Sequence, residues 1–442
     1  MVITYHFPPD GAIGGQRWAG LSKYLARLGW EVHVVTASAA GPEQPTPNVH
    51  RHFRPRRRTL NDVYRAAAGR FRQSSSSDQQ LMRENPAPPR SFSPFKPVAA
   101  IRRILGSSMS LPDDGRGWVG AAAVAARALL RERKFDVVIS SGPPHSAHFA
   151  GLAATLGRDT QFWIDMRDPW SVTQQFGAPD DGFVRAQRFV LRRLERLVFP
   201  RAARVVVNTL QFGSALGIAE PDLEVRCLPN GVDLEHVPMR EIRHVEQGSI
   251  AYVGTLYFGR NLSSVCAAMR RVLIDNPQAA ATLRLNVAGP MEPPHRRQFQ
   301  DEIAAAGLTS VVNIHGSLPR AQALELLSRS HISLVLAQGQ PLQVPAKLYE
   351  SVGLGVPTLV IAEEASAAAC EARRIGAMTL DSANVDGLRL LLEDMLAGRI
   401  PTRIEPKTPI TYAHLAQEWD GLLRESLNAG SRRARNPRAA PT

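Results

Sequence analysis

The residue types best suited to chemistry cluster in Val344-Pro345-Ala346-Lys347-Leu348-Tyr349-Glu350-Ser351-Val352-Gly353-Leu354-Gly355-Val356-Pro357. Lys347 and Glu350 are three apart, so a helix here carries both on one face. A cation so placed can meet a diphosphate, and a carboxylate's paired oxygens can bridge two sugar hydroxyls. A plain helical ion pair would use the same spacing; the Gly355-Val356-Pro357 turn into a strand makes the segment more specific than that. A second stretch, Gly254-Thr255-Leu256-Tyr257-Phe258-Gly259-Arg260-Asn261-Leu262, follows an apolar run and sets Arg260 where a phosphate could be met, unless it is a surface arginine on a tight connection. A third, Gly11-Ala12-Ile13-Gly14-Gly15, lies between a first strand and a helix, where glycine permits close backbone approach and free N–H groups favour an anion. It lacks GxGxxG spacing, and Thr36-Ala37 stand where a ribose-binding acid is expected, so a loop needing glycine only to turn is the alternative. A fourth, Asp165-Met166-Arg167-Asp168, closes a buried strand at its carboxyl end, suited to a ligand or to an ion pair. Ser141-Gly142-Pro143-Pro144-His145-Ser146 opens the same edge, and His145 or His148 is placed to bind substrate or simply to pack.

The elements that must position these residues alternate. Residues 1–36 read strand, loop, helix, strand, with Trp18, Leu21, Leu25 and Leu28 on one helical face and Gly29 as a C-cap. Residues 42–97 interrupt this with prolines, the basic run 54–58 and the serines 74–77, and read as an insertion holding a basic helix at 62–72 and a mobile segment. Helix 118–131, strand 137–140, helix 146–156, strand 161–165, arginine-lined helix 184–198 and strand 205–208 follow. After Pro229-Asn230-Gly231 the pattern restarts, with strands near 250–253, 283–288, 311–315, 332–336 and 358–361 and helices at 262–273 and 346–352. The expected fold class is α/β, two Rossmann-like doubly wound domains facing a central cleft. The expected divisions are 1–235, 246–408, a C-terminal helix over 409–428 packing back toward the first domain, and a disordered basic tail over 429–442.

Charge is uneven along the chain. Residues 1–235 hold 31 Lys and Arg against 21 Asp and Glu, while 236–428 hold 18 against 19. The excess suggests an anionic partner for the first half, or only that arginine is the default long side chain here. Cys227, Cys266 and Cys370 are widely spaced, arguing against both a disulfide framework and a zinc site and for a reducing compartment. The opening strand lacks a basic leader, and no apolar run is long enough to span a bilayer, so a cytoplasmic protein is expected, peripheral at most to the inner face of the plasma membrane.

Together these residues resemble retaining glycosyltransferases of the GT-B fold, family-4 type (glycosyltransferase group 1). The resemblance rests on the opening strand with its Gly-Gly loop, the string Pro229-Asn230-Gly231-Val232-Asp233, the Gly-Thr-Leu…Arg-Asn loop and the Pro-x-Lys-x-x-Glu…Gly-x-Pro helix. Ile164-Asp165-Met166-Arg167-Asp168-Pro169-Trp170 looks like the RDPW-bearing branch that builds bacterial surface polysaccharides. The resemblance implies an acceptor-binding first domain and a nucleotide-sugar-binding second one. It implies that Lys347 and Arg260, with Asn261 beside them, hold the donor diphosphate, and that Glu350 binds ribose hydroxyls. It also implies that the loop at His315-Gly316 faces the base and that Gly14 and Gly15 line the reaction centre; Asp168, Arg167 and His145, at the strand ends of the first domain, are the candidate catalytic set. Two departures stand out: Leu342 occupies the position of a second family glutamate, and Arg167-Asp168 end a strand that a histidine ends in many relatives.

The implied mechanism needs no metal and no cofactor: cations neutralise the leaving diphosphate, which itself takes the acceptor's proton. The implied partners are a nucleotide-sugar donor, a glycan or lipid-linked acceptor and an anionic membrane surface met through 54–58 and 185–204. Alternatives are a catalytically inactive partner subunit and a non-hydrolysing sugar-nucleotide epimerase on the same fold. A nucleic-acid binder is disfavoured because no recognition motif or stacking platform accompanies the arginines.

Overall fold

A computed structural model describes residues 1–10, 13–39, 46–59, 62, 111–172, 182–236, 241, 244–256, 259–291 and 293–435. The first series is β1 (Val2–Thr4), α1 (Ile13–Arg27), β2 (Val32–Thr36), β3 (Val49–Phe53), α2 (Val119–Glu132), β4 (Val137–Gly142), α3 (Ser146–Thr155), β5 (Gln161–Met166), α4 (Gly182–Val198), β6 (Arg204–Val207), α5 (Leu210–Ala219) and β7 (Val225–Cys227). The second is β8 (Glu246–Val253), α6 (Ser263–Asp275), β9 (Arg284–Ala288), α7 (Pro293–Ala305), β10 (Val312–Gly316), α8 (Arg320–Arg329), β11 (Ser330–Leu336), α9 (Lys347–Gly353), β12 (Thr358–Ile361), α10 (Ala367–Ile375), β13 (Met378–Leu380) and α11 (Val385–Leu396). A final helix, α12 (Tyr412–Arg435), closes the chain.

The strands form two sheets, ordered β3-β2-β1-β4-β5-β6-β7 and β10-β9-β8-β11-β12-β13. Every strand pair of the second is parallel, as are the β3-β2-β1-β4-β5 pairs of the first. Strands such as β2, β4, β6 and β11 are buried along their whole length, as parallel strands covered on both faces must be. Each sheet runs outward in both directions from its first strand, so the order reverses between β1 and β4 and again between β8 and β11. In doubly wound sheets ligands bind at the carboxyl ends of the strands flanking such a reversal.

The chain divides into two compact units, one made of 1–15, 31–171 and 179–205, the other of 16–30, 172–178 and 206–442. Most of α1 therefore groups with the second unit. There Trp18 meets Trp419 of α12 edge-on at 5.2 Å, both fully buried, a geometry worth about 0.5–1.5 kcal/mol beyond the area it covers. Trp30 donates to Asp420 at 2.7 Å. The string 229–233 is gripped from α1: buried Arg17 donates to the carbonyls of Leu228 and Pro229, and Lys23 pairs with Asp233 at 2.8 Å.

Three expectations need correction. Residues 49–53, assigned to an insertion, form β3, in parallel register with β2 (His33 beside His50). The segment is an edge strand with half-exposed, basic side chains, so it lacks the apolar run of a buried strand. Gly14 and Gly15 lie within the first turn of α1 rather than in a loop. The last helix continues to Arg435, past the expected limit of 428, because alanine and arginine favour helix and no proline intervenes before Pro437. The helix expected at 62–72, apart from Asp62, and residues 436–442 lie outside the described residues.

Candidate substrate site

In the second unit the loop after β8 begins at Gly254, whose backbone is packed tightly on both sides. A Cβ on Gly289, at φ +136°, would stand 2.0 Å from the Gly254 carbonyl oxygen, and one on Gly254 would stand 2.7 Å from the Tyr252 hydroxyl. Gly289 donates in turn to the Gly316 carbonyl at 2.7 Å. Backbone thus meets backbone at the carboxyl ends of β8, β9 and β10, where only glycine leaves room.

Lys347, the first residue of α9, runs beside this loop: its Cε would lie 3.5 Å from a Cβ on Gly254. Burial lowers its ammonium pKa, Glu350 opposes the shift, and the positive charges of Arg320 and Arg260 reinforce it. Glu350 shares the helix with Lys347, and its carboxylate pairs with Arg320 at 2.7 Å. That carboxylate is only 14% exposed, whereas the guanidinium side chain of Arg320 is 48% exposed. Arg260, Arg320 and Glu350 therefore all act on the charge of Lys347.

The loop between β11 and α9 is tied on both sides. Arg260 Nη2 donates to Gln340 Oε1, Gln338 Nε2 donates to the Asn261 carbonyl at 3.0 Å, and Gly339 N–H donates to Glu363 Oε1 at 2.8 Å. Asn261 Oδ1 accepts from the backbone of Ser263 at 3.2 Å. The second carboxylate oxygen, Glu363 Oε2, and the amide oxygen Gln338 Oε1 are buried without a hydrogen-bond partner among the described residues. Buried acceptors in that state favour a ligand that brings donors. Leu342 contributes its backbone instead, accepting from Thr209 Oγ1 at 2.7 Å. Gly316, at φ +68°, ends β10 after His315, whose Nε2 contacts Asn286 Oδ1 at 3.0 Å.

In the first unit the carboxyl ends of β4 and β5 gather Arg167, His145 and Gly14. Arg167 is 7% exposed and donates from Nε to the Gly142 carbonyl at 3.2 Å, from Nη1 to that of Gly14 at 2.5 Å and from Nη2 to that of Pro143. A Cβ on Gly14 would come within 2.8 Å of Nη1, and one on Gly15 within 3.1 Å of the Phe7 backbone. The arginine thus holds α1's first turn against the loop after β4. Asp165 is fully buried and accepts from Ser141, its neighbour in register, at 2.8 Å. Asp168 is partly exposed on the turn that follows.

The ring of His145 stacks on Trp170 at 5.0 Å and its Nδ1 lies 3.5 Å from His148 Nε2; Ser140 Oγ meets His148 Nδ1 at 2.9 Å. Burial drives the pKa of His145 far down, with His148 and Arg167 adding to it, and burial followed by Arg167 lowers that of His148 to about 3. Both rings are therefore neutral at physiological pH and resist protonation.

Of the residues singled out from sequence, the structure sets Arg260 and Asn261 in the loop after β8, Gly316 at the end of β10, and Lys347 and Glu350 in α9, which follows β11. It brings Arg167, Gly14 and His145 together at the carboxyl ends of the first sheet. Sequence reasoning missed Arg320 and Glu363. Arg320 follows Pro319 at a helix start just past a strand, which is the available signal. Glu363 follows the buried run 358–361 by two residues.

Residues 14–231 match the family described as Glycosyl transferase 4-like domain. No curated protein matches the sequence. Among solved structures, the fold is similar to that of sucrose-phosphate synthase from Thermosynechococcus elongatus, at 13% identity and TM-score 0.60, covering 97% of this chain and 99% of that one. It is similar to an α,α-trehalose-phosphate synthase (UDP-forming) from Burkholderia xenovorans, in complex with glucose-6-phosphate, at 14% identity and TM-score 0.56, covering 98% of each chain. It is also similar to Anabaena HepE in complex with UDP and glucose, at 11% identity and TM-score 0.56, covering 96% of this chain and 99% of that one. The likeness is one of fold: two Rossmann-like parallel-sheet domains of the GT-B type, as in these structures. Among the described residues no helix is long and apolar enough to cross a membrane.

Proposed function

We propose that this chain transfers a sugar from a nucleotide-sugar donor to a glycan or lipid-linked acceptor, with retention of configuration and without a metal ion. What supports this reading is one loop, between β11 and α9, where two kinds of group meet. Arg260 and Lys347 bring positive charge suited to a diphosphate, and the buried acceptors Glu363 Oε2 and Gln338 Oε1 suit a ligand rich in hydroxyls. In this reading Lys347 and Arg260 neutralise the charge that builds on the leaving diphosphate, which takes the acceptor's proton. Glu350 exchanges Arg320 for the ribose hydroxyls, and Gly316 lies beside the base. Glu363 provides the carboxylate that Leu342 does not. Arg167 positions Gly14 and Gly15, and Asp168 and His145 face the acceptor chemistry.

The test is donor hydrolysis and transfer with UDP-, GDP- and dTDP-sugars in the presence of chelator, on the wild type and on Lys347→Ala and Glu363→Gln. Sugar-specific nucleotide release that both variants lose is the expected result. Silence across the panel, with no thermal shift from any nucleotide, would move the reading to a catalytically inactive partner subunit. Product of inverted anomeric configuration would remove the retaining mechanism.

The RDPW segment and the basic first half make a polysaccharide acceptor at an anionic membrane surface the favoured setting. Helix α4 supports it: Phe189 and Leu197 are exposed among its arginines, and Arg193 lies over the Phe189 ring at 5.0 Å. Flotation with anionic vesicles at low salt should carry the protein upward; protein left in the dense fraction would discard the membrane setting.

A further inference from the structure

The amino ends of β2 and β3 gather four side chains for which glycosyl transfer has no use. Glu31 directly precedes β2, His33 is the second residue of that strand, and His50 stands opposite it on β3. His52, two residues further along, shares the face of His50, as strand alternation requires. His33 Nε2 lies 3.1 Å and His50 Nε2 lies 3.3 Å from the same carboxylate oxygen, Glu31 Oε1. The three ligand atoms fall within 4.8 Å of one another. The ring of His33 is held between those of His50 and His52, with centroids 4.6 and 5.2 Å away, and against the edge of Phe135 at 5.1 Å.

We propose that Glu31, His33 and His50 form a site for a divalent transition metal of the zinc class, with His52 orienting His33. Zinc bonds of about 2.0–2.1 Å in a tetrahedron set ligand atoms about 3.3 Å apart, close to both separations seen here. A ligating imidazole ordinarily donates its other N–H to a fixed acceptor, which sets its tautomer and ring angle. His33 Nδ1 meets His52 Nε2 at 2.9 Å, so His52 is that acceptor when Nε2 of His33 binds the ion. Two imidazoles and one carboxylate select zinc-like ions over magnesium or calcium and leave a coordination position open.

Arg133 also donates to Glu31 Oε1, at 2.7 Å, and competes for that oxygen. The site lies at the amino ends of its strands, whereas Arg167 and Gly142 lie at carboxyl ends, so the ion would pin the edge strand β3 to β2 and take no part in transfer.

The test uses the full chain without a polyhistidine tag, stripped with chelator and titrated calorimetrically with zinc chloride and, separately, magnesium chloride. One equivalent of zinc should bind, with no response to magnesium. Cobalt(II) in place of zinc should give the visible absorption of a tetrahedral site. His50→Ala and Glu31→Gln alter half-exposed side chains and should fold normally by circular dichroism, yet weaken zinc binding by about tenfold or more. Arg133→Ala removes the competitor and should tighten binding about two- to fivefold. Failure of the wild type to bind zinc, or zinc affinity unchanged in both ligand variants, would overturn the proposal.

Discussion

Replacing Lys347 by methionine should move donor affinity and stability in opposite directions. Methionine keeps a long unbranched chain against Gly254 and removes only the charged end. If the ammonium meets a donor phosphate, losing that charge-assisted hydrogen bond costs about 1.5–3 kcal/mol, roughly 10- to 150-fold in Kd. In the free protein the same charge is unfavourable, because burial lowers the lysine pKa and the fields of Arg320 and Arg260 act in the same sense, against Glu350 alone. The variant's Tm should therefore be unchanged or higher. Arg320→Gln is the comparator: its guanidinium is half exposed and screened, so its loss should change affinity by less than about fivefold. Isothermal titration with nucleoside diphosphates and their sugars, and scanning calorimetry on the same preparations, measure both quantities. Wild-type affinity in Lys347→Met, or a Tm lowered by more than about 3 °C, roughly the effect of a 1 kcal/mol loss in a domain of this size, would refute the reasoning.

Gly289→Ala should cost about 2–5 kcal/mol, since its φ of +136° and the Gly254 carbonyl both exclude a Cβ; calorimetry should show the second unit unfolding about 5–15 °C lower. Arg167→Lys should cost about 2–4 kcal/mol in denaturant unfolding, because one ammonium cannot satisfy the carbonyls of Gly14, Gly142 and Pro143 together. Stability should also fall as the pH drops below about 6.5. The pKa of His148 is lowered to about 3 when folded, so between those values the unfolded chain binds more protons, and each unit of acidification costs up to about 1.4 kcal/mol for this one group. His148→Asn should flatten that slope in a series of urea titrations, and an unaltered slope would show that other groups govern it.

The alternating βα series was legible because fully buried parallel strands such as Thr358–Ile361 are short apolar runs closed by glycine or a charged turn. Lys347 and Arg260 were legible because each belongs to a segment whose glycines and prolines fix its place after a strand. Arg320 was not, since one more arginine among 53 lysines and arginines has no local signature, and only the fold brings it to Glu350. Glu363 was hidden by its neighbour Glu364, which makes the pair read as solvated surface. Strand β3 was hidden because an edge strand is recognised by the partner it pairs with, and its own residues are half polar.

The contact between Gly254 and Gly289 also bears on how this region can be studied or changed. Alanine scanning finds functional residues by taking atoms away, yet at these positions alanine is the larger residue. A scan would score them as folding defects and pass over their part in shaping the loop that Lys347 lies against. A library built to alter donor preference should therefore hold both glycines constant and vary the side chains that tie the loop between β11 and α9, at Gln338, Gln340 and Glu363.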